Sequence, residues 1–211
     1  MCVSERRREP KPGISVGQSP AWHLPDSERN RTPWEIPLCG DLTDRQSDLI
    51  GRLIEVAPRS CGILYFDSCG GSVYTGLALA TIIRTRGLRV TGLVVGECSS
   101  AALMPFAACR SRFVTVQSTL LFHPMRWQSE TDVRLDEATE WARHFKTLEA
   151  DLDGVLSRLF GIEPETLHKW THPGRFVSGP ELSDAGLATL IDPFEHSDLW
   201  QTVRSTCTRT P

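Results

Sequence analysis

Three features are missing from this 211-residue chain, and each absence closes off a class of function. No run is long and apolar enough to span a bilayer, and the basic N-terminus is not followed by an apolar stretch. Neither a membrane segment nor a secretory signal is expected, and the cytoplasm is the expected location. There is no basic excess: the formal net charge is -3, so the charge balance does not point to nucleic acid. Finally, none of the seven cysteines (Cys2, Cys39, Cys61, Cys69, Cys98, Cys109 and Cys207) falls in a CxxC pair. Most sit inside apolar runs, which fits buried thiols in a reducing compartment better than a disulfide framework or a zinc site. No metal or cofactor is expected. What is present is an ordinary globular composition, 40% hydrophobic and 23% charged, over a length that suits one domain with tails.

Residues 1–33 are rich in Pro, Ser, Arg and Glu without apolar periodicity, and read as a disordered arm in which Arg6-Arg7-Arg8 is a solvated run. Residues 196–211 read as a similar tail. Between them, in 34–195, the elements alternate. Thr43 to Gln46 has capping-box spacing and opens a helix with Leu49, Ile50, Leu53, Ile54 and Ala57 on one face. The near-continuous apolar run Gly62 to Phe66 reads as a buried strand, ending in a turn at Asp67-Ser68-Cys69-Gly70-Gly71. A helix follows to about Arg86, then a second buried strand from Arg89 to Val95, then a small-residue helix from Ser99 to Cys109. Phe113 to Val116 and Thr119 to Phe122 are further strands. Strands without alternation are those covered by helices on both faces, so the pattern predicts an α/β domain.

From Asp132 the pattern becomes one long helix. Val133, Ala138, Trp141, Phe145, Leu148, Leu152, Val155 and Leu159 recur mostly at three- and four-residue steps along nearly thirty residues. Such a stripe packs either on its own domain or on an identical subunit. Ser178 to Glu181 is a second capping box, and Gly186 to Asp192 a closing strand.

Three places carry chemistry. Gly96-Glu97-Cys98-Ser99-Ser100-Ala101-Ala102 sets a serine where a buried strand gives way to a helix, by backbone N–H groups able to meet an oxyanion. The pair Gly70-Gly71 lets backbone approach a ligand closely. His123, at the end of Leu120-Leu121-Phe122 and before Pro124, is placed as a base. Singly, these are an N-cap, a tight turn and a structural histidine; their order gives them weight.

That order, Asp67-Ser68-Cys69-Gly70-Gly71-Ser72-Val73, the Ser100 segment, Phe122-His123-Pro124, and Arg175-Phe176-Val177-Ser178, resembles the proteolytic subunit of the ATP-dependent Clp protease family, over about residues 34–192. The resemblance implies a Clp/crotonase-like α/β fold of repeated strand-strand-helix units, with the long helix as a protruding handle between stacked rings. It implies a serine endopeptidase with Ser100 as nucleophile and His123 as general base, and with backbone N–H groups of Gly71 and Ala101 as the oxyanion hole. It also implies a homo-oligomeric chamber, or a mixed ring with a paralogue, that takes peptide and unfolded protein from an AAA+ unfoldase. The Ser-His order favours this branch over a crotonase-type acyl-CoA enzyme.

The departures are specific. Gly174 stands where the family carries its catalytic Asp, and His172-Pro173 replaces an acidic-basic pair. Pro124-Met125-Arg126-Trp127-Gln128 replaces the Gly-rich segment that pairs with extended substrate, and Cys69 replaces a Pro. Without that Asp, Nδ1 of His123 is left to water, a backbone carbonyl, Asp132, Asp136 or His172. The alternative function is a ring subunit impaired in catalysis that supplies walls and contacts.

Overall fold

The computed structural model describes residues 32–43, 47–128 and 132–208, and the described residues from Pro33 onward form one unit. Almost all of the expected N-terminal arm, and Gln46 of the first capping box, lie outside the described residues. In chain order the elements are β1 (Trp34–Leu42), α1 (Ser47–Glu55), β2 (Cys61–Gly71), α2 (Val73–Thr85) and β3 (Arg89–Cys98). A 3₁₀ turn (Ser100–Ala102) leads into α3 (Leu103–Ala108), β4 (Ser111–Thr115), β5 (Thr119–Phe122), α4 (Leu135–Phe160) and α5 (Pro164–Thr171). The chain closes with β6 (Arg175–Ser178), α6 (Gly179–Asp184), β7 (Thr189–Ile191) and α7 (Leu199–Thr208).

Strands β1-β2-β3-β4-β7 run side by side, all parallel. Their middle residues alternate between two apolar layers. Leu64, Phe66, Val90, Val94 and Val114 enter the larger core with α1 to α6, whereas Cys61, Ile63 and Phe113 enter a smaller one on the opposite face. Both faces are covered, which explains the unalternating sequence of the strands. Beyond Val94, β3 leaves β4 and meets β5 at Glu97↔Thr119, and β5 pairs antiparallel with β6. This divergence, two sheets sharing one strand, produces the α/β Clp/crotonase-like architecture and opens a cleft at the C-terminal end of β3.

Two expectations are overturned. Residues 67–71 are strand rather than turn: after a bulge between Phe66 and Ser68, β2 continues, with Gly70 and Gly71 opposite Asp41 and Leu42 of β1. Within the expected C-terminal tail, 199–208 form a packed helix, because Leu199, Val203 and Cys207, four residues apart, seat α7 in the smaller core. Thr91 and Thr206 join their hydroxyls at 2.9 Å, and the Cys207 thiol donates to the Gly62 carbonyl at 3.1 Å. The polar Thr and Ser residues around that four-residue period hid it.

Helix α4 spans 26 residues and ends at Gly161, which adopts the left-handed conformation common at helix C-termini. Its C-terminal part docks on the core through Leu156 and Phe160, with Leu152, Val155 and Leu159 beside them. Farther toward its start, Trp141 and Phe145 are covered by Trp127 of the same chain, with ring centroids at 5.9 and 5.5 Å. Much of the stripe therefore packs on its own domain. No helix among the described residues is long and apolar enough to cross a membrane.

Candidate active site

Ser100 sits two residues past the end of β3, at the first position of the 3₁₀ turn, with φ of +54°. Non-glycine residues avoid that region, and one held there is held by its surroundings. Gly70 is part of the restraint. A Cβ at Gly70 would stand 2.6 Å from both Ser100 Cβ and the Ser99 carbonyl oxygen, so only glycine lets β2 run this close beneath the serine. Ser99 is fully buried; its N–H donates to the Ser68 carbonyl at 2.9 Å, and its Oγ accepts from the Leu121 N–H at 3.0 Å. The nucleophile candidate is thus anchored to β2 on one side and to β5 on the other.

His123 follows β5 and is half-buried. Its Nδ1 lies 2.6 Å from the carbonyl oxygen of Pro124. A carbonyl only accepts, so Nδ1 carries a proton, and in the neutral ring the lone pair is then on Nε2, the tautomer a general base needs. This answers which of the sequence candidates orients the ring: it is the backbone carbonyl. Asp136 pairs instead with Arg134, and His172 stacks on His168 and bonds the Thr171 hydroxyl. Among the described residues, no hydrogen bond joins Ser100 Oγ to the imidazole, although both face one cavity of about 240 Å³. Gly71 and Ala101 line the same cavity.

The register of the missing carboxylate is clear. Phe122 pairs with Arg175 across β5 and β6, so one step further along the antiparallel ladder sets His123 opposite Gly174. A Cβ at Gly174 would lie 3.1 Å from His123 Cβ, and φ there is +119°. The position faces the histidine as the motif spacing implied, with no carboxylate to offer.

The segment after His123 forms no strand. The Met125 N–H donates to Glu149 Oε1 at 2.7 Å, and Trp127 rests on α4. A backbone edge that could have paired with extended substrate is here partly committed to the chain's own helix.

Sequence reasoning missed several residues of this site. Ser68 read as a turn residue and Ser99 as the start of a helix, yet both are buried and carry the hydrogen bonds that set the site. Glu149 and Asp153 of α4 also line the cavity. Their four-residue spacing beside Leu152 and Leu156 was the available signal, a pair of carboxylates flanking an apolar stripe. Asp153 is half-buried, and desolvation raises its carboxyl above the usual range, opposed by His172 and reinforced by Glu149.

The family model for Clp protease matches residues 36–192, about three-quarters of the chain. No curated protein matches it.

Proposed function

The chain belongs to the Clp protease family, a family of peptidases, and we propose that it is a serine-type endopeptidase with Ser100 as nucleophile. The observation that carries this reading is the pairing of a serine at φ +54° with a histidine whose Nδ1 is fixed by Pro124, both open to one cavity. A structural serine or histidine would need neither the left-handed backbone of Ser100 nor a place on the cavity wall.

In the proposed reaction Nε2 of His123 takes the Ser100 hydroxyl proton as Oγ attacks the peptide carbonyl. Substrate binding has to bring Oγ and Nε2 into hydrogen-bond contact, since apo geometry is often looser than that of the complex. The carbonyl oxygen becomes an oxyanion met by the backbone N–H groups of Gly71 and Ala101. His123 then returns the proton to the leaving amine, and water, activated in the same way, releases the acyl group. The Pro124 carbonyl keeps the tautomer but brings no net charge, so the imidazolium is stabilised less than beside a carboxylate. Turnover is therefore slow for a serine peptidase.

We place the reaction in a cytoplasmic oligomeric chamber, formed by this chain alone or with a paralogue and fed by an AAA+ unfoldase. The exposed Leu135, at the start of α4, and the remaining half-buried stripe support a subunit contact there. One observation favours a second reading, a ring subunit that no longer cleaves: Gly174 offers His123 no carboxylate. Hydrolysis of fluorogenic peptides by the assembled protein, with Ser100→Ala as the blank, decides between them. Activity abolished by Ser100→Ala supports the peptidase, and equal rates from the two proteins refute it.

A further inference from the structure

The cavity beside Ser100 and His123 has an unusual chemical division. Met104, Met125, Leu152 and Leu156 give it apolar walls, while Glu149 and Asp153 on α4 bring two carboxylates into it, one helical turn apart. The two carboxylates are not equivalent. Glu149 has one oxygen engaged by the Met125 N–H. Asp153 is half-buried, and among the described residues it accepts no hydrogen bond and joins no ion pair. Arg126 lines the same cavity and is exposed, but it pairs with neither acid. His168 and His172 lie near Asp153 on the side of α5. The cavity can hold one long side chain, and its most costly feature when empty is an unpaired, partly desolvated carboxylate.

We propose that Asp153 determines specificity, making this cavity the subsite for a lysine or arginine side chain immediately before the scissile bond. It rests on the reading of Ser100 as nucleophile. An apolar stem of three or four methylenes would pass between Leu152, Leu156 and the methionines, and the cationic head would reach Asp153, with Glu149 adding field. A carboxylate within an apolar slot selects basic residues in the same way in other serine peptidases. A leucine or methionine there would cover the walls but leave Asp153 without a partner and further desolvated, which a charge-assisted hydrogen bond avoids. A glutamate would meet like charge.

The test separates pocket from chemistry. Acetylated tripeptides that mimic the released acyl product, ending in arginine, citrulline, leucine or glutamate, are titrated by calorimetry onto the full-length assembled Ser100→Ala protein. The arginyl peptide should bind about tenfold or more tightly than the citrullyl peptide, its neutral isostere, and than the leucyl one. In the Ser100→Ala background, Asp153→Asn should erase that preference, Asp153→Glu should retain part of it, and Glu149→Gln should reduce it less. Equal binding of the arginyl and citrullyl peptides, tighter leucyl binding, or an arginyl preference that survives Asp153→Asn overturns the proposal. The arginine-citrulline comparison stands without any variant at Asp153. The nucleophile reading fails independently, if wild-type protein shows the arginyl preference yet no acylation of Ser100.

Discussion

Ser99 Oγ accepts a hydrogen bond from the Leu121 backbone N–H at 3.0 Å, and through it the serine turn is fastened to the strand that delivers His123. The bond lies one residue before Ser100 and two before His123, so it sets their separation without taking part in chemistry. Ser99→Ala leaves the part-buried Leu121 N–H without its partner, which costs about 1 kcal/mol. Urea unfolding should show that loss, and Ser100 acylation in the folded variant should slow. Unchanged acylation at reduced stability would mean that packing alone holds the two residues in place.

Gly174 stands opposite His123, where Gly174→Asp would offer the ring a carboxylate. The backbone opposes it, because φ is +119°, a Cβ would meet His123 Cβ at 3.1 Å, and Nδ1 is already bonded to Pro124. An L-residue in such a region costs about 1–3 kcal/mol. Gly174→Asp and Gly174→Ala should therefore destabilise to a similar degree, and the aspartate variant should be no faster than wild type in kcat/KM. An aspartate variant clearly faster than both would show that the loop relaxes and that a carboxylate is all the site lacks.

The ionised Asp153 should lower stability at neutral pH. Burial raises its carboxyl pKa in the folded state, so between its unfolded and folded values the folded protein holds more protons. Stability then falls as pH rises through the folded value. Asp153→Asn should accordingly unfold at higher urea than wild type at pH 7.5, with the difference shrinking as pH falls toward the unfolded carboxyl value of about 4. A variant less stable than wild type at pH 7.5 would show Asp153 to be a structural partner instead.

The thiols of Cys69, Cys98 and Cys109 are not primed for nucleophilic chemistry. Burial pushes Cys98 and Cys109 up, and Cys69 is pushed up first by its hydrogen bond to Asp41 and then by desolvation. Alkylation with iodoacetamide at pH 7.5 should leave peptidase activity intact, and Asp41→Asn should speed alkylation of the exposed Cys69. Activity lost in step with alkylation would move the nucleophile from serine to cysteine.

The fold and the core of the site were legible because their signals are local. Thr119–Phe122 and the span from Val73 to Thr85 follow apolar runs and caps, and the order of Gly70-Gly71, Ser100 and His123 follows the chain. What stayed hidden depends on partners distant in sequence. The strand through Gly71 exists because Leu42 lies beside it, and α7 is ordered because Ile63 and Phe113 wait for Val203. The carbonyl that orients His123 belongs to Pro124, and no side-chain pattern encodes a backbone acceptor.

The central claim is that Ser100 is an activated nucleophile, and a fluorophosphonate probe tests it most directly. Intact-mass and peptide mapping of the full-length assembled protein should show one adduct, on Ser100. The adduct should be absent in Ser100→Ala and strongly reduced in His123→Ala. Labelling that is equal in wild type and His123→Ala, or no adduct on Ser100 in any assembly state, would contradict the account.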